Sequence, residues 1–96
     1  MRSLYIYPKV ITELLEVCHK HLQGLASIDE LQFVVQRSES MIVALEEKDV
    51  RIFLTSIEGE LELIRFTVEE NLQDLEGKKI ARKLIDWIQS RSTATE

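Results

Sequence analysis

The sequence has few of the residues that break helices or cross-link a chain. Its 96 residues include one proline, three glycines and one cysteine. So few glycines and prolines cannot supply the frequent turns of a β-sandwich or a β-barrel. A single cysteine cannot form an internal disulfide. We therefore expect an all-α protein that works in a reducing cytosol.

Long apolar runs are also absent. The longest is the five-residue run from Met41 to Leu45, whereas a membrane-spanning helix needs about 20 apolar residues. It is also shorter than the apolar part of a secretory signal, which spans about 7 to 15 residues. The sequence predicts a cytoplasmic protein with no membrane partner.

Positive charge is in the minority. Seventeen acidic residues against twelve Lys and Arg give a formal net charge of −5, which is the wrong sign for a chain that binds phosphates. Hydrophobic residues make up 45% and charged residues 30%, as in an ordinary globular domain. We expect one domain over residues 1–96 that does not bind nucleic acid directly.

Four apolar stripes of helical period predict four helices, at 8–23, 28–46, 50–70 and 76–91. Pro8 suits the first position of a helix, and Gly24 can end that helix in a left-handed conformation. Ser27 and Glu30 have the spacing of a capping box at the start of the second helix. Short connections between successive helices imply antiparallel neighbours, so the expected fold is an up-and-down four-helix bundle.

Other boundaries follow from single residues and short polar runs. Asp49 is the expected N-cap of the third helix. Residues 71–77 are expected to contain the next turn, although Leu72 and Leu75 allow an earlier start of the fourth helix. The polar residues 91–96 are expected to form a frayed tail. The core stripe of the second helix comprises Ile28, Leu31, Val34, Val35, Ser38, Met41, Ile42 and Leu45.

The third helix is predicted to be apolar on two sides. Its main stripe comprises Val50, Phe53, Leu54, Ile57, Leu61, Ile64 and Val68. A second patch of Ile52, Leu63 and Phe66 lies on the far side. We expect Leu63 and Phe66 to be covered by another helix, by a second chain or by the N-terminal residues 4–7. Gly59 predicts a close approach of some other element to this helix.

Catalytic and metal-binding patterns are missing. One Glu16-x-x-His19 step is present, whereas a di-iron bundle needs two. Cys18 lies on the apolar stripe of the first helix, where a thiol is inert. Glu58 and Glu62 lie one turn apart in a polar wedge, and nothing there indicates the burial that a general acid needs. We predict that the chain is not an enzyme and needs no metal or cofactor.

Two further surface features allow a functional or a plain structural interpretation. Phe33 lies on the polar side of the second helix, where it could anchor a partner or be simply exposed. The fourth helix has a basic face that could contact phosphate or an acidic membrane, but solvation or pairing within the chain is the favoured interpretation. These cations are Lys78, Lys79, Arg82 and Lys83.

Acidic residues are concentrated in the middle of the chain. Between Glu46 and Glu76, ten acidic residues oppose three basic ones, a balance of −7, whereas residues 77–92 carry five basic residues against Asp86, a balance of +4. Clustered carboxylates can imitate a nucleic-acid backbone and attract a basic protein. The segment therefore predicts a basic protein partner.

The stretch RSESMIVALEEKDVRIFL at 37–54, continued by IEGELELIRF at 57–66, resembles the helical hairpin of small acidic immunity proteins. These accompany bacterial nuclease toxins of the colicin and contact-dependent inhibition type. The resemblance implies a cytosolic inhibitor that covers the catalytic face of a basic toxin. The predicted contact residues are Glu46, Glu47, Asp49, Glu58, Glu62 and Glu69. The alternative is a helical adaptor or homodimer that uses the second apolar face of the third helix.

Overall fold

The computed structural model describes residues 5–94, and side chains as far as Arg91. It contains the helices α1 (Pro8–Leu22), α2 (Ile28–Met41), α3 (Lys48–Thr67) and α4 (Glu70–Ala94), with a short 3-10 helix at Leu45–Glu47. No strand occurs within residues 5–94. The predicted all-α class and the four-helix bundle are confirmed.

Each helix packs on the next one in sequence, and α4 closes the bundle against α1. Every helix contributes fully buried leucines to one core, namely Leu14, Leu31, Leu54, Leu61 and Leu84. This burial of one stripe from each helix is what the 3.6-residue period requires of an amphipathic helix. Because each helix turns one stripe inward, a different face of each helix remains outside.

The connection between α1 and α2 forms as predicted. Gly24 has a φ of 78°, a conformation that glycine adopts without steric cost. The Ser27 hydroxyl accepts a hydrogen bond from the Glu30 N–H at 3.1 Å, and the Glu30 carboxylate accepts one from the Ser27 N–H. The capping box is therefore present, and it fixes the start of α2.

The end of α2 was predicted wrongly. The helix stops at Met41 rather than near residue 46, and both Met41 and Leu45, assigned to its core stripe, are exposed. Ile42 leaves the helical conformation and is fully buried. The Ala44 N–H donates to the Tyr7 hydroxyl at 3.1 Å, so tertiary contacts replace the last turn of the expected helix.

The boundary between α3 and α4 also differs from the prediction. α3 ends at Thr67 and α4 begins at Glu70, so residues 71–77 are helical rather than a turn. The Gln73 amide donates hydrogen bonds to the carbonyl oxygens of Arg65 and Val68. These bonds satisfy carbonyls at the end of α3, which allows a very short connection and an early start of α4.

The close approach expected at Gly59 occurs instead at Gly77. No heavy atom lies within 4 Å of the place where a Cβ on Gly59 would stand, whereas a Cβ on Gly77 would lie 2.5 Å from Nε2 of His21. His21 is only 1% exposed, and its Nδ1 lies 2.8 Å from the carbonyl oxygen of Ala26. Gly77 thus lets α4 cross a buried histidine of α1.

The predicted frayed tail at 91–96 lies partly outside the described residues. Helix α4 continues to Ala94, and Arg91 is bound to other parts of the fold; Thr95 and Glu96 lie outside the described residues. Of the N-terminal cluster, Leu4 also lies outside them. Tyr5 is buried, and its hydroxyl donates to the carbonyl oxygen of Ile88 at 2.7 Å.

Candidate protein-binding surface

The inner face of α3 supports the bundle. Val50, Leu54, Ile57 and Leu61 are buried there, as predicted. Ile64 is only partly buried, because it lies near the end of the helix. Phe53, at the edge of this face, stacks on Trp87 of α4 with ring centroids 4.2 Å apart and planes 5° from parallel. This stacking fixes how α3 is rotated against α4.

Polar bonds close both flanks of α3. On the α2 side, Gln36 donates to Glu58 at 3.1 Å, and Arg65 forms an ion pair with Asp29 at 3.0 Å. On the α4 side, the ammonium group of Lys83 lies 3.0 Å from the Glu60 carboxylate. Within residues 5–91, no side chain covers the face between these two flanks.

That uncovered surface is the outer face of α3, formed by Ile52, Ser56, Gly59, Leu63 and Phe66. The exposed fractions are 57% for Ile52, 61% for Leu63 and 81% for Phe66. Steps of three and four residues place them in one row, directly opposite the buried stripe. Among the residues that the structure describes, neither another helix nor the N-terminal residues cover Leu63 and Phe66, so that part of the expectation is wrong there; cover by a second chain stays a prediction.

Three of the predicted contact carboxylates reach solvent near this region of the fold. Glu46 lies in the 3-10 helix before α3, Glu62 lies one turn before Phe66, and Glu69 follows the end of α3. Within residues 5–94, no ion pair to any of the three is found. They form an acidic rim at the row of apolar side chains.

The carboxylates of the other three predicted contact residues bond to other residues of this chain. Glu47 is 1% exposed; its carboxylate accepts from the Ile6 N–H at 3.2 Å and lies 3.3 Å from the Arg91 guanidinium. Asp49 was expected to cap α3, but it lies in the first turn and binds the same guanidinium at 2.7 Å. This hydrogen bond to Arg91 is the main cause that lowers the pKa of Asp49. Both residues hold the connection before α3 in place.

Glu58, the sixth predicted contact residue, is half-buried where α3 packs on α2. It faces Glu39 of α2, and the pKa of Glu39 is raised mainly by burial and then by a hydrogen bond to Glu58. The negative charge of Glu58 also disfavours ionisation of Glu39. A pair of acids on neighbouring helices was not visible in the sequence, because helix rotation decides which residues meet.

The remaining candidates for chemistry lie in ordinary environments. Cys18 is fully buried, and burial raises the pKa of its thiol to about 12, which keeps it protonated. His19 is exposed. No group of three or more metal-ligating side chains occurs among the described residues. A search of the same residues found no helix whose length and hydropathy would allow it to cross a bilayer.

Phe33 lies at a second surface, a groove of about 410 Å³ between α1 and α2. The ring is exposed, and the Arg37 guanidinium lies 5.8 Å from its centroid. Arg37 also forms an ion pair with Glu13 on α1. On the basic face of α4, Lys79 and Lys83 each pair with a glutamate of the chain, so these two cations are partly neutralised.

Comparison with known proteins gives no relative for this chain. No family model, no curated protein and no solved structure matches it.

Proposed function

We propose that this chain is a protein-binding module whose contact surface is the outer face of α3. One observation carries the proposal: Ile52, Leu63 and Phe66 are exposed in a single row on a helix whose opposite face is buried in the bundle. A compact apolar row with a charged rim is typical of protein interaction surfaces. Phe66 is the natural anchor, since large aromatic side chains often dominate binding energy.

The partner is a basic protein, and a nuclease toxin is the candidate that the resemblance to immunity proteins implies. The support is electrostatic: the chain carries a net charge of −5, and Glu46, Glu62 and Glu69 extend into solvent without an ion pair in the described part of the chain. Such rim charges act mainly by steering a partner of opposite charge. A toxin held by this surface would have its catalytic face covered and its nucleic-acid substrate excluded.

Of the six acidic residues predicted to contact a partner, we assign direct contact to three. Glu46, Glu62 and Glu69 can meet a partner directly, whereas Glu47 and Asp49 act as positioning residues through Arg91. Glu58 acts indirectly, because its carboxylate accepts a hydrogen bond from Gln36 where α3 packs on α2. The alternative function, an adaptor or homodimer, would use the same face of α3.

A photo-crosslinking experiment tests the proposal. A photoreactive phenylalanine analogue replaces Phe66 in the protein expressed in its native cells, and irradiation should attach one basic protein that mass spectrometry identifies. The matched control replaces Phe33, which is also an exposed phenylalanine but belongs to the groove between α1 and α2. We expect no crosslink to that protein from position 33.

The identified protein is then purified and assayed for cleavage of RNA and DNA with and without this chain. Inhibition that is lost in Phe66→Asp supports the immunity function. A basic partner without nuclease activity would still support the binding surface, but it would refute the proposal that the partner is a nuclease toxin. Crosslinking from position 33 alone would refute the surface itself.

A further inference from the structure

The two ends of the outer face of α3 lie at equal distances from Gly59. Ile52 precedes Gly59 by seven residues and Phe66 follows it by seven. Seven residues are close to two full helical turns, so both side chains lie on the same face as the glycine. The two ends of the row are therefore alike, each with a large apolar residue, and the centre has no side chain. Leu63 has no apolar counterpart, because Thr55 occupies the mirrored position and Ser56 lies beside it.

Such a row is complementary to itself when two copies run antiparallel. A two-fold axis at Gly59 would place Ile52 opposite Phe66 of the second copy, and Phe66 opposite its Ile52. At the centre, the space around Gly59 is empty. Two glycines there allow the helix axes to approach to about 8 Å, the short end of the usual range.

Charge also favours the antiparallel arrangement. Toward the N-terminal end of the outer face, Lys48 and Arg51 outnumber Glu46, whereas Glu62 and Glu69 lie toward its C-terminal end. Antiparallel pairing brings each Lys48 toward the acidic end of the other copy and opposes the two helix dipoles. Parallel pairing would bring like charges together.

We propose that, when no other protein occupies it, the outer face of α3 binds a second copy of this chain around a two-fold axis at Gly59. This develops the homodimer alternative into a defined symmetry axis and register, and it rests on the same exposed face as the proposed function. It implies that self-association masks the face until a partner displaces it. Three apolar side chains per copy form a small patch, so the dimer belongs to the weak class that buries less than about 1,200 Å².

Sedimentation velocity on the purified chain measures this dimer. We expect a shift from monomer to dimer as the concentration rises from about 5 to about 500 µM, the range in which weak interfaces titrate. Phe66→Asp should weaken the dimer at least about tenfold, because it buries a charge against an apolar side chain. Phe33→Asp is the matched control and should leave association unchanged.

Gly59→Gln supplies a second variant whose own folding is not at risk. The added side chain enters open space in the monomer and replaces glycine with a better helix former. It should weaken the dimer at least about tenfold while the monomer remains folded. A strictly monomeric wild-type chain, or equal weakening by Phe33→Asp, would overturn the proposal.

Engineered cysteines test the register. Under mild oxidation, chains with Gly59→Cys should crosslink to one another, and a mixture of Ile52→Cys chains with Phe66→Cys chains should form the mixed dimer. Ile52→Cys chains alone should not, because an antiparallel pair separates the two sites by about 21 Å along the helix. Cys18 is buried and does not interfere. Crosslinking of all combinations at equal rates would refute the two-fold axis.

These outcomes are separable from those of the proposed function. Self-association is measured on the purified chain, whereas the photo-crosslink reports a different protein. A dimer without any basic partner would refute the proposed function alone. A basic partner bound by a strictly monomeric chain would refute the dimer alone.

Discussion

The guanidinium of Arg91, near the end of α4, lies 3.3 Å from the buried carboxylate of Glu47, in the connection before α3. The same guanidinium binds Asp49 through two hydrogen bonds and lies 4.7 Å from the centre of the Tyr5 ring. Arg91 therefore joins the N-terminal segment, the start of α3 and the end of α4. It anchors the helix that carries the proposed binding face.

Arg91→Met should lower the free energy of unfolding by about 2 to 4 kcal/mol, because it leaves the Glu47 carboxylate buried without its cation. The methionine keeps an apolar stem over Tyr5, so the loss reports the charge. Lys83→Met is the control, since the pair that Lys83 forms with Glu60 is exposed and worth less than about 1 kcal/mol. Urea denaturation measures both. Equal losses would show that Arg91 is not an anchor.

The two helical glycines should respond in opposite directions to alanine. Gly77→Ala forces a Cβ against His21, whose ring is held by Ala26, and should cost about 1 to 2 kcal/mol after the gain in helix propensity. Gly59→Ala meets nothing and should add about 0.5 to 1 kcal/mol. Thermal melts at a few micromolar chain compare the two. Stabilisation by both changes would contradict the tight crossing at Gly77.

Substitutions at two leucines of α3 can distinguish its buried inner face from its exposed outer face. Leu61 is fully buried, so Leu61→Ala should cost about 2 to 5 kcal/mol by removing packed methyl groups and leaving a cavity. Leu63, two residues later, is mostly exposed, and Leu63→Ala should change the stability of the monomer by less than about 1 kcal/mol. Denaturant melts at low concentration test the pair. Similar costs at both sites would mean that the face assignment is wrong.

Glu39 should make stability depend on pH. Its pKa is raised in the folded chain by burial and by Glu58, so the folded state binds its proton more tightly than the unfolded state does. Stability from this group is therefore lost as the pH rises through the folded pKa, and it is regained below the unfolded pKa. Glu39→Gln should stabilise the protein at pH 7 and give a smaller benefit near pH 4. Glu46→Gln, at an exposed site, is the control, and a pH-independent benefit at Glu39 would refute the raised pKa of Glu39.

Local chemistry in the sequence was sufficient for much of the fold. The apolar periods predicted four helices and the bundle, while Pro8, Gly24 and the capping box of Ser27 and Glu30 marked the ends of α1 and the start of α2. These features act within a few residues, so neighbouring positions in the sequence determine them. The second apolar patch of α3 was likewise visible as a pattern.

Tertiary structure decided the features that depend on which residues meet across the bundle. It ended α2 early so that Ile42 could be buried, extended α4 at both ends, and moved the close glycine contact from Gly59 to Gly77. It also drew Glu47 inward to Arg91. The row at Ile52, Leu63 and Phe66 remains exposed because the opposite, buried stripe of α3 is the one that packs against α2 and α4. The period of a helix shows that it has two apolar sides, but only the packing of its neighbours determines which side is left open.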